Sequence, residues 1–154
     1  MSEQTVASRL EKLGIVLPKA SGPAAKYANY VLVNDLLFLA GKGPSGGPKG
    51  KLGKDYTTEE GYAFARQAGL EVLAVVQDAL GSLDRVKRVV KVQGFIHAAD
   101  HYEEIHKVLN GFSDLMFEVF GEEKGAHTRS VLGAAALRDQ LPVVVDTIFQ
   151  VEPE

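Results

Sequence analysis

Apolar positions recur along the chain with two different periods, and each stretch can be read from the period it keeps. Between Thr57 and Gly81, the residues Tyr62, Ala65, Gly69, Val72, Val76 and Leu80 are three or four apart, the spacing of one helix face. Thr57 and Glu60 form a capping box and Gly81 supplies a stop, so the pattern predicts a helix about 35 Å long if continuous. Gly69 lies on that stripe, where it weakens the helix and is best explained by close packing against a neighbour. Ile105, Val108, Phe112, Met116 and Val119 mark a second long helix, with Asp100 and Glu103 as its cap and Gly121 as its stop. A shorter amphipathic helix is expected from Ser2 to Leu13 on Val6, Leu10 and Leu13, within a leader reaching to about residue 20.

The remaining apolar runs read as strands. YVLV-ND-LLFLA predicts strands at 26–33 and 36–41 joined at Asn34-Asp35, a pair that tolerates the positive φ of a tight hairpin. A third is expected at 88–97, with Gly94 as a bulge or a point of close approach. Residues 127–137 and 142–151 supply the last two. The predicted order is α-β-β-α-β-α-β-β in a single α+β domain spanning residues 1–154, a mixed sheet covered on one face by two long helices. The other face would be bare, and Val89, Phe95, Val131 and Leu137, placed on it, are too apolar to stay in water. Oligomerisation would cover it and create clefts between subunits.

Composition narrows the chemistry. There are no cysteines, which removes disulfides, thiolate metal sites and cysteine nucleophiles. A net charge of -3 gives no global field for a phosphate backbone, so nucleic acid is a disfavoured partner. No apolar run reaches the ~20 residues of a membrane helix, and no basic start precedes an apolar block at the amino terminus. No membrane association and a cytoplasmic location are therefore expected. Gly41, Gly43 and Gly46 formally match a dinucleotide fingerprint, but Pro44 and Pro48 block the helix that would hold a pyrophosphate. Residues 41–54 are read as a connection. His101 and His106 are five apart on one helix and His97 ends another element, so no histidine metal site is expected and these are read as surface positions.

The run HTRSVLGAAAL, residues 127–137, poses the main chemical question. In a strand His127, Arg129, Val131 and Gly133 share one face, so Arg129 heads a surface of small and apolar groups. A buried guanidinium needs a carboxylate, carbonyl oxygens or an anionic ligand, and its planar fork suits a carboxylate in two-point contact. The structural alternatives are a salt bridge to Asp146 or Glu123, or exposure at a strand end.

Arg129-Ser130-x-x-Gly133-x-Ala135-Ala136-Leu137, followed by Pro142-Val143-x-Val145-Asp146-x-Ile148-Phe149, resembles the closing signature of the Rid/YjgF family of imine/enamine deaminases, some labelled endoribonuclease L-PSP. Leu10 to Pro18 resembles the leader of its longer members, and Ala40-Gly41-Lys42-Gly43-Pro44 resembles its Ser-Gly-Gln-x-Pro. The resemblance implies a chorismate-mutase-like fold, a homotrimer with intersubunit clefts and no cofactor or metal. It also implies a small carboxylate-bearing substrate, a 2-imino or 2-enamino acid hydrolysed to the 2-keto acid and ammonia. In that family the arginine matching Arg129 grips the carboxylate, a tyrosine matches Tyr27 (Tyr30 being a second candidate), an asparagine matches Asn110 and a glycine matches Gly41.

One departure bears on catalysis. The glutamate that orients water in deaminating members falls at Val144, and the second acid is Asp146. Valine handles no proton, so His127 and Asp146 are the accessory candidates, and activity from positioning alone is the other route. The competing expectations are a deaminase-type hydrolase, a non-catalytic carboxylate-binding regulatory trimer, and an endoribonuclease or translation inhibitor, which the charge balance does not favour.

Overall fold

The computed structural model describes residues 4–153. α1 (Val6–Lys12) is followed by the hairpin β1 (Tyr30–Val33) and β2 (Leu36–Lys42), then α2 (Thr58–Leu80), β3 (Val86–His97), α3 (Ile105–Lys124), β4 (Thr128–Ala134) and β5 (Val143–Val151). Short 3-10 turns at Leu83–Arg85 and Arg138–Gln140 precede β3 and β5. The expected order of helices and strands is realised in a mixed α+β fold. The Ser2 end of the predicted first helix lies outside the described residues.

The hairpin closes with Val33 opposite Leu36 and Asn34 at φ 55°, the turn its Asn-Asp pair predicts. The five strands run in the order β1-β2-β5-β3-β4, and only β3 and β4 are parallel. β5 is thus the centre of the sheet although it is last in sequence. Its residues alternate buried and half-buried without a break, because the odd positions Val143, Val145 and Phe149 meet the helices and the even ones face away.

α2 begins at the predicted capping box, Thr57 Oγ1 accepting from the Glu60 N–H and Glu60 accepting from the Thr57 N–H, and ends on Gly81 in the left-handed region. Gly69 faces Leu115 of α3, where an added Cβ would lie 2.7 Å from a leucine methyl. Gly94 admits Leu109 in the same way, so it marks close approach and not a bulge. The bulges of β3 lie earlier, between Val86 and Arg88 and between Val89 and Lys91.

Three expectations are corrected. Asp100 and Glu103 do not cap α3, which starts after Glu104; residues 98–99 instead run beside Leu52, and His101 takes φ 70°. Val89 and Val131 do not belong to the bare face: Val89 is fully buried beneath the helices and Val131 packs on the same core. His97 is not a surface residue; it is 5% exposed, with Nδ1 buried and unpartnered. Gly121 does end regular α3 geometry, at φ 87°, before a last turn to Lys124.

Val31, Val33, Phe38 and Leu132 are 40% exposed or more on the bare face, beside half-buried Phe95, Val144 and Ile148. Among the described residues no helix is long and apolar enough to cross a membrane.

Candidate functional site

Arg129 pairs with Val92 across the parallel β3–β4 ladder, and Val92 is core-facing, so the arginine points to the helix side at the sheet edge. Its NH1 donates to Ser113 Oγ at 3.1 Å and its NH2 to the His106 carbonyl at 3.2 Å, both on α3. Two of its five N–H donors are thus spent on neutral oxygens. Arg66, Lys107 and Arg138 form ion pairs, whereas Arg129 forms none with a described carboxylate. The expected alternative partners are absent from it: Asp146 lies on the opposite face of the sheet, paired with Gln93, and Glu123 makes no bond to it.

His127 precedes β4 and meets the same serine. Nδ1 lies 2.6 Å from the Gly125 carbonyl, which only accepts, so this nitrogen carries the proton. In the neutral ring Nε2, 2.9 Å from Ser113 Oγ, is then the acceptor. Ser113 therefore donates to His127 and turns a lone pair to Arg129, which gives one consistent direction through Arg129, Ser113, His127 and Gly125. The imidazole rests 5.7 Å from the Phe117 ring centroid. Burial lowers its pKa, the Gly125 bond opposes this and the Arg129 charge adds to the lowering.

The sign of the consequence is fixed. An unfolded histidine takes up its proton near 6.5, whereas folded His127 does so only at lower pH. Between those values the unfolded chain holds more protons, so stability falls as pH drops from about 6.5 and levels off below the folded value. His127→Gln is expected to lose that slope in urea midpoints measured across the window. An unchanged slope, or a ring titrating at or above 6.5 by NMR, would refute the buried neutral imidazole.

Asn110 is half-buried on α3, and with His106 and Ser113 it falls at i, i+4 and i+7, the helix face along which Arg129 lies. It lines an open cavity of about 440 Å³ with Thr58, Tyr62 and Lys107. Tyr27 and Gly41 are elsewhere. Tyr27 is 47% exposed and its hydroxyl accepts from the Ala24 N–H. Tyr30, the second candidate, begins the edge strand β1. Gly41 lies on the bare side of β2, where a Cβ would come 2.8 Å from Val144 Cγ1. β5 and β3 separate β2 from β4, roughly 14 Å at ~4.8 Å per strand. One chain therefore sets Arg129 against α3, the helix that also carries Asn110, and sets Gly41 against Val144, but does not bring the two groups together.

Val144 is half-buried in a row with Phe95 and Leu132. Asp146 follows two residues on, its carboxyl pushed up by burial with Lys91 opposing. Of the accessory candidates only His127 is connected to Arg129. Ser113 was not among the residues singled out from the sequence; its signal was a hydroxyl between Phe112 and Leu115 on a helix otherwise buried with apolar groups.

The family described as “YjgF/chorismate_mutase-like, putative endoribonuclease” matches residues 7–145. The chain belongs to this family. Protein TCP17 of Trypanosoma cruzi is 43% identical over 149 residues, 94% of this chain and 93% of its own length. Among solved structures, a “putative endoribonuclease” from Shewanella oneidensis superposes with TM-score 0.92 at 32% identity, covering 96% of this chain and all of that one. Protein Atu1372 of Agrobacterium tumefaciens gives TM-score 0.87, also at 32% identity, over 96% and 92% of the two chains. The YjgF chorismate-mutase-like fold expected from the closing signature is thus the fold of this protein.

Proposed function

We propose that this YjgF-family protein binds the carboxylate of a small 2-keto or 2-imino acid through Arg129, in a cleft completed by a neighbouring copy in a homotrimer. The observation that carries the reading is the state of Arg129: a half-buried guanidinium held by two neutral oxygens, with no carboxylate partner among the described residues. Such a cation is stabilised by an anion, and its fork, oriented by Ser113 and the His106 carbonyl, accepts a carboxylate in two-point contact. Asn110 on the same helix face adds an amide.

The neighbouring copy answers the separation of the two pairs. The apolar bare face needs a cover, and a second protomer laid against it brings its own residues to the Gly41–Val144 side. An imine carbon held there is already electrophilic. Water attack still proceeds slowly from positioning alone, because Val144 neither accepts nor delivers a proton. Binding is accordingly the principal activity and hydrolysis to keto acid and ammonia a weak one.

Calorimetry with 2-oxobutanoate on the trimer identified by light scattering tests this. Arg129→Ala is expected to weaken binding about 10–100-fold, the worth of a charged hydrogen-bond pair. Equal affinity in the two proteins, or scattering from single protomers only, would remove the proposed clamp.

A further inference from the structure

Two charged side chains are buried far from Arg129, at the opposite edge of the sheet. Lys42 is 5% exposed at the end of β2, and Glu71 is 8% exposed in the middle of α2. The ammonium is fully engaged: Nζ donates to Asn29 Oδ1 at 2.6 Å, Ser21 Oγ at 3.1 Å, and the carbonyls of Ser21 and Gly22 at 3.3 and 3.5 Å. It ties the 21–29 loop to the sheet and has no donor left for Glu71. No ion pair joins the two residues, and the Glu71 carboxylate has no hydrogen-bond donor among the described residues.

That carboxylate opens into a cavity of about 370 Å³ whose walls include Ser21, Lys42, Glu71, Arg138, Asp139 and Leu141. At its rim Asp139 and Gln140 take φ 53° and 58°, two consecutive non-glycine residues in the left-handed region. Such backbone is costly and persists where the surroundings hold it; here the Gln140 carbonyl accepts from the Gly50 N–H. The turn presents Arg138, whose NH1 is 3.3 Å from Asp139 Oδ2 and whose side chain is 47% exposed.

We propose that this cavity is a second small-molecule site, taking a primary ammonium on Glu71 and a carboxylate on Arg138, and that its ligand is a free α-amino acid. A carboxylate without a donor is destabilised, and a ligand ammonium supplies the protons that the fully engaged Lys42 does not. Consistently, burial pushes the Glu71 carboxyl up, with the Lys42 charge opposing. Arg138 at the rim gives the carboxylate end its counter-charge. The cavity volume falls in the range of small-molecule sites. Tyr27 also lines this cavity and Arg129 does not, so the proposal does not rest on the Arg129 clamp.

Calorimetry on Arg129→Ala protein isolates it. L-threonine, L-leucine and L-glutamine are titrated, each against its 2-keto acid, which offers Glu71 only acceptors. At least one amino acid is expected to bind saturably, one per chain. The keto acid, and the same amino acid on Arg129→Ala/Glu71→Gln protein, are each expected to bind at least about tenfold more weakly. Absence of binding by all three, or affinity unchanged by Glu71→Gln, overturns the proposal. If the Glu71 variant does not fold, Arg138→Ala on the rim decides: about tenfold weaker amino-acid binding with n-butylamine binding unchanged supports the site, and equal effects on both overturn it.

Discussion

Val144→Glu is expected to raise hydrolysis of 2-iminobutanoate by about 10²–10⁴, the usual contribution of a positioned acid or base. Val144 lies on the bare side of β5, half-buried, with the backbone of Gly41 closed down on it so tightly that a Cβ on the glycine would clash with the valine methyl. A glutamate there is longer than the gap beside Gly41 and must extend outward, toward the surface on which the proposed neighbouring copy sits. Its carboxylate would take a proton from the attacking water and return it to the leaving nitrogen, the transfer that Val144 leaves to bulk solvent. Ammonia release from enzymically generated imine, followed alongside the Arg129→Ala/Val144→Glu double variant, reads the effect. A rate equal to that of the native chain, or a gain that survives loss of Arg129, would separate position 144 from the clamp and defeat the intersubunit arrangement.

How far the sequence reveals this structure depends on whether the deciding contact is local. The capping box at Thr57 and Glu60, the left-handed stop at Gly81 and the Asn34 turn are all set by neighbours within four residues, and all are realised. The start of α3 is not of that kind. The segment after His97 is drawn beside Leu52, with the Ala99 N–H donating to its carbonyl, so Asp100 never reaches a helical cap. Tyr102 and Glu104 instead both meet Thr58 Oγ1 at the head of α2. The wrong face for Val89 has an equally specific cause. Val89 and Phe95 share parity in an unbroken strand, but the irregularity between Val89 and Lys91 resets it, and Val89 and Val92, three apart, are both fully buried.

The candidate site divides in the same way. Arg129 was legible as a charge heading an apolar strand, and His127 as its neighbour on one face. That Ser113 links them depends on α3 crossing β4, which no local pattern reports. The separation of Arg129 from Tyr27 and Gly41 follows from the insertion of β5 between β2 and β3, a choice of strand order and not of strand content. Lys42 and Glu71 did carry a readable signal, a charge closing an apolar strand and a lone acid in the run Leu70–Val76, but only the fold shows that they stand at one cavity.

Gly111→Ala is expected to destabilise the protein by about 3 kcal/mol or more, the upper range for overpacking a core. Alanine is favoured over glycine in a helix by about 1 kcal/mol, so propensity alone predicts the opposite sign. Geometry decides against it. At Gly111 α3 rests directly on α2: an added Cβ would overlap the Tyr62 carbonyl oxygen and lie 2.9 Å from its carbon and 3.2 Å from the Arg66 nitrogen. These are backbone atoms inside a hydrogen-bonded helix and cannot rotate aside, so relief requires the helices to part. Parting them loosens Ala65, Val108, Phe112 and Leu115, all fully buried at the heart of the core. Gly69→Ala is the internal comparison, since the nearest atom there is the methyl end of Leu115, which has rotameric freedom. Urea midpoints should therefore fall far more for position 111 than for position 69. A Gly111→Ala midpoint at or above the native one would mean that α2 and α3 do not touch backbone to backbone, and the scaffold that aims Ser113 toward Arg129 would have to be redrawn.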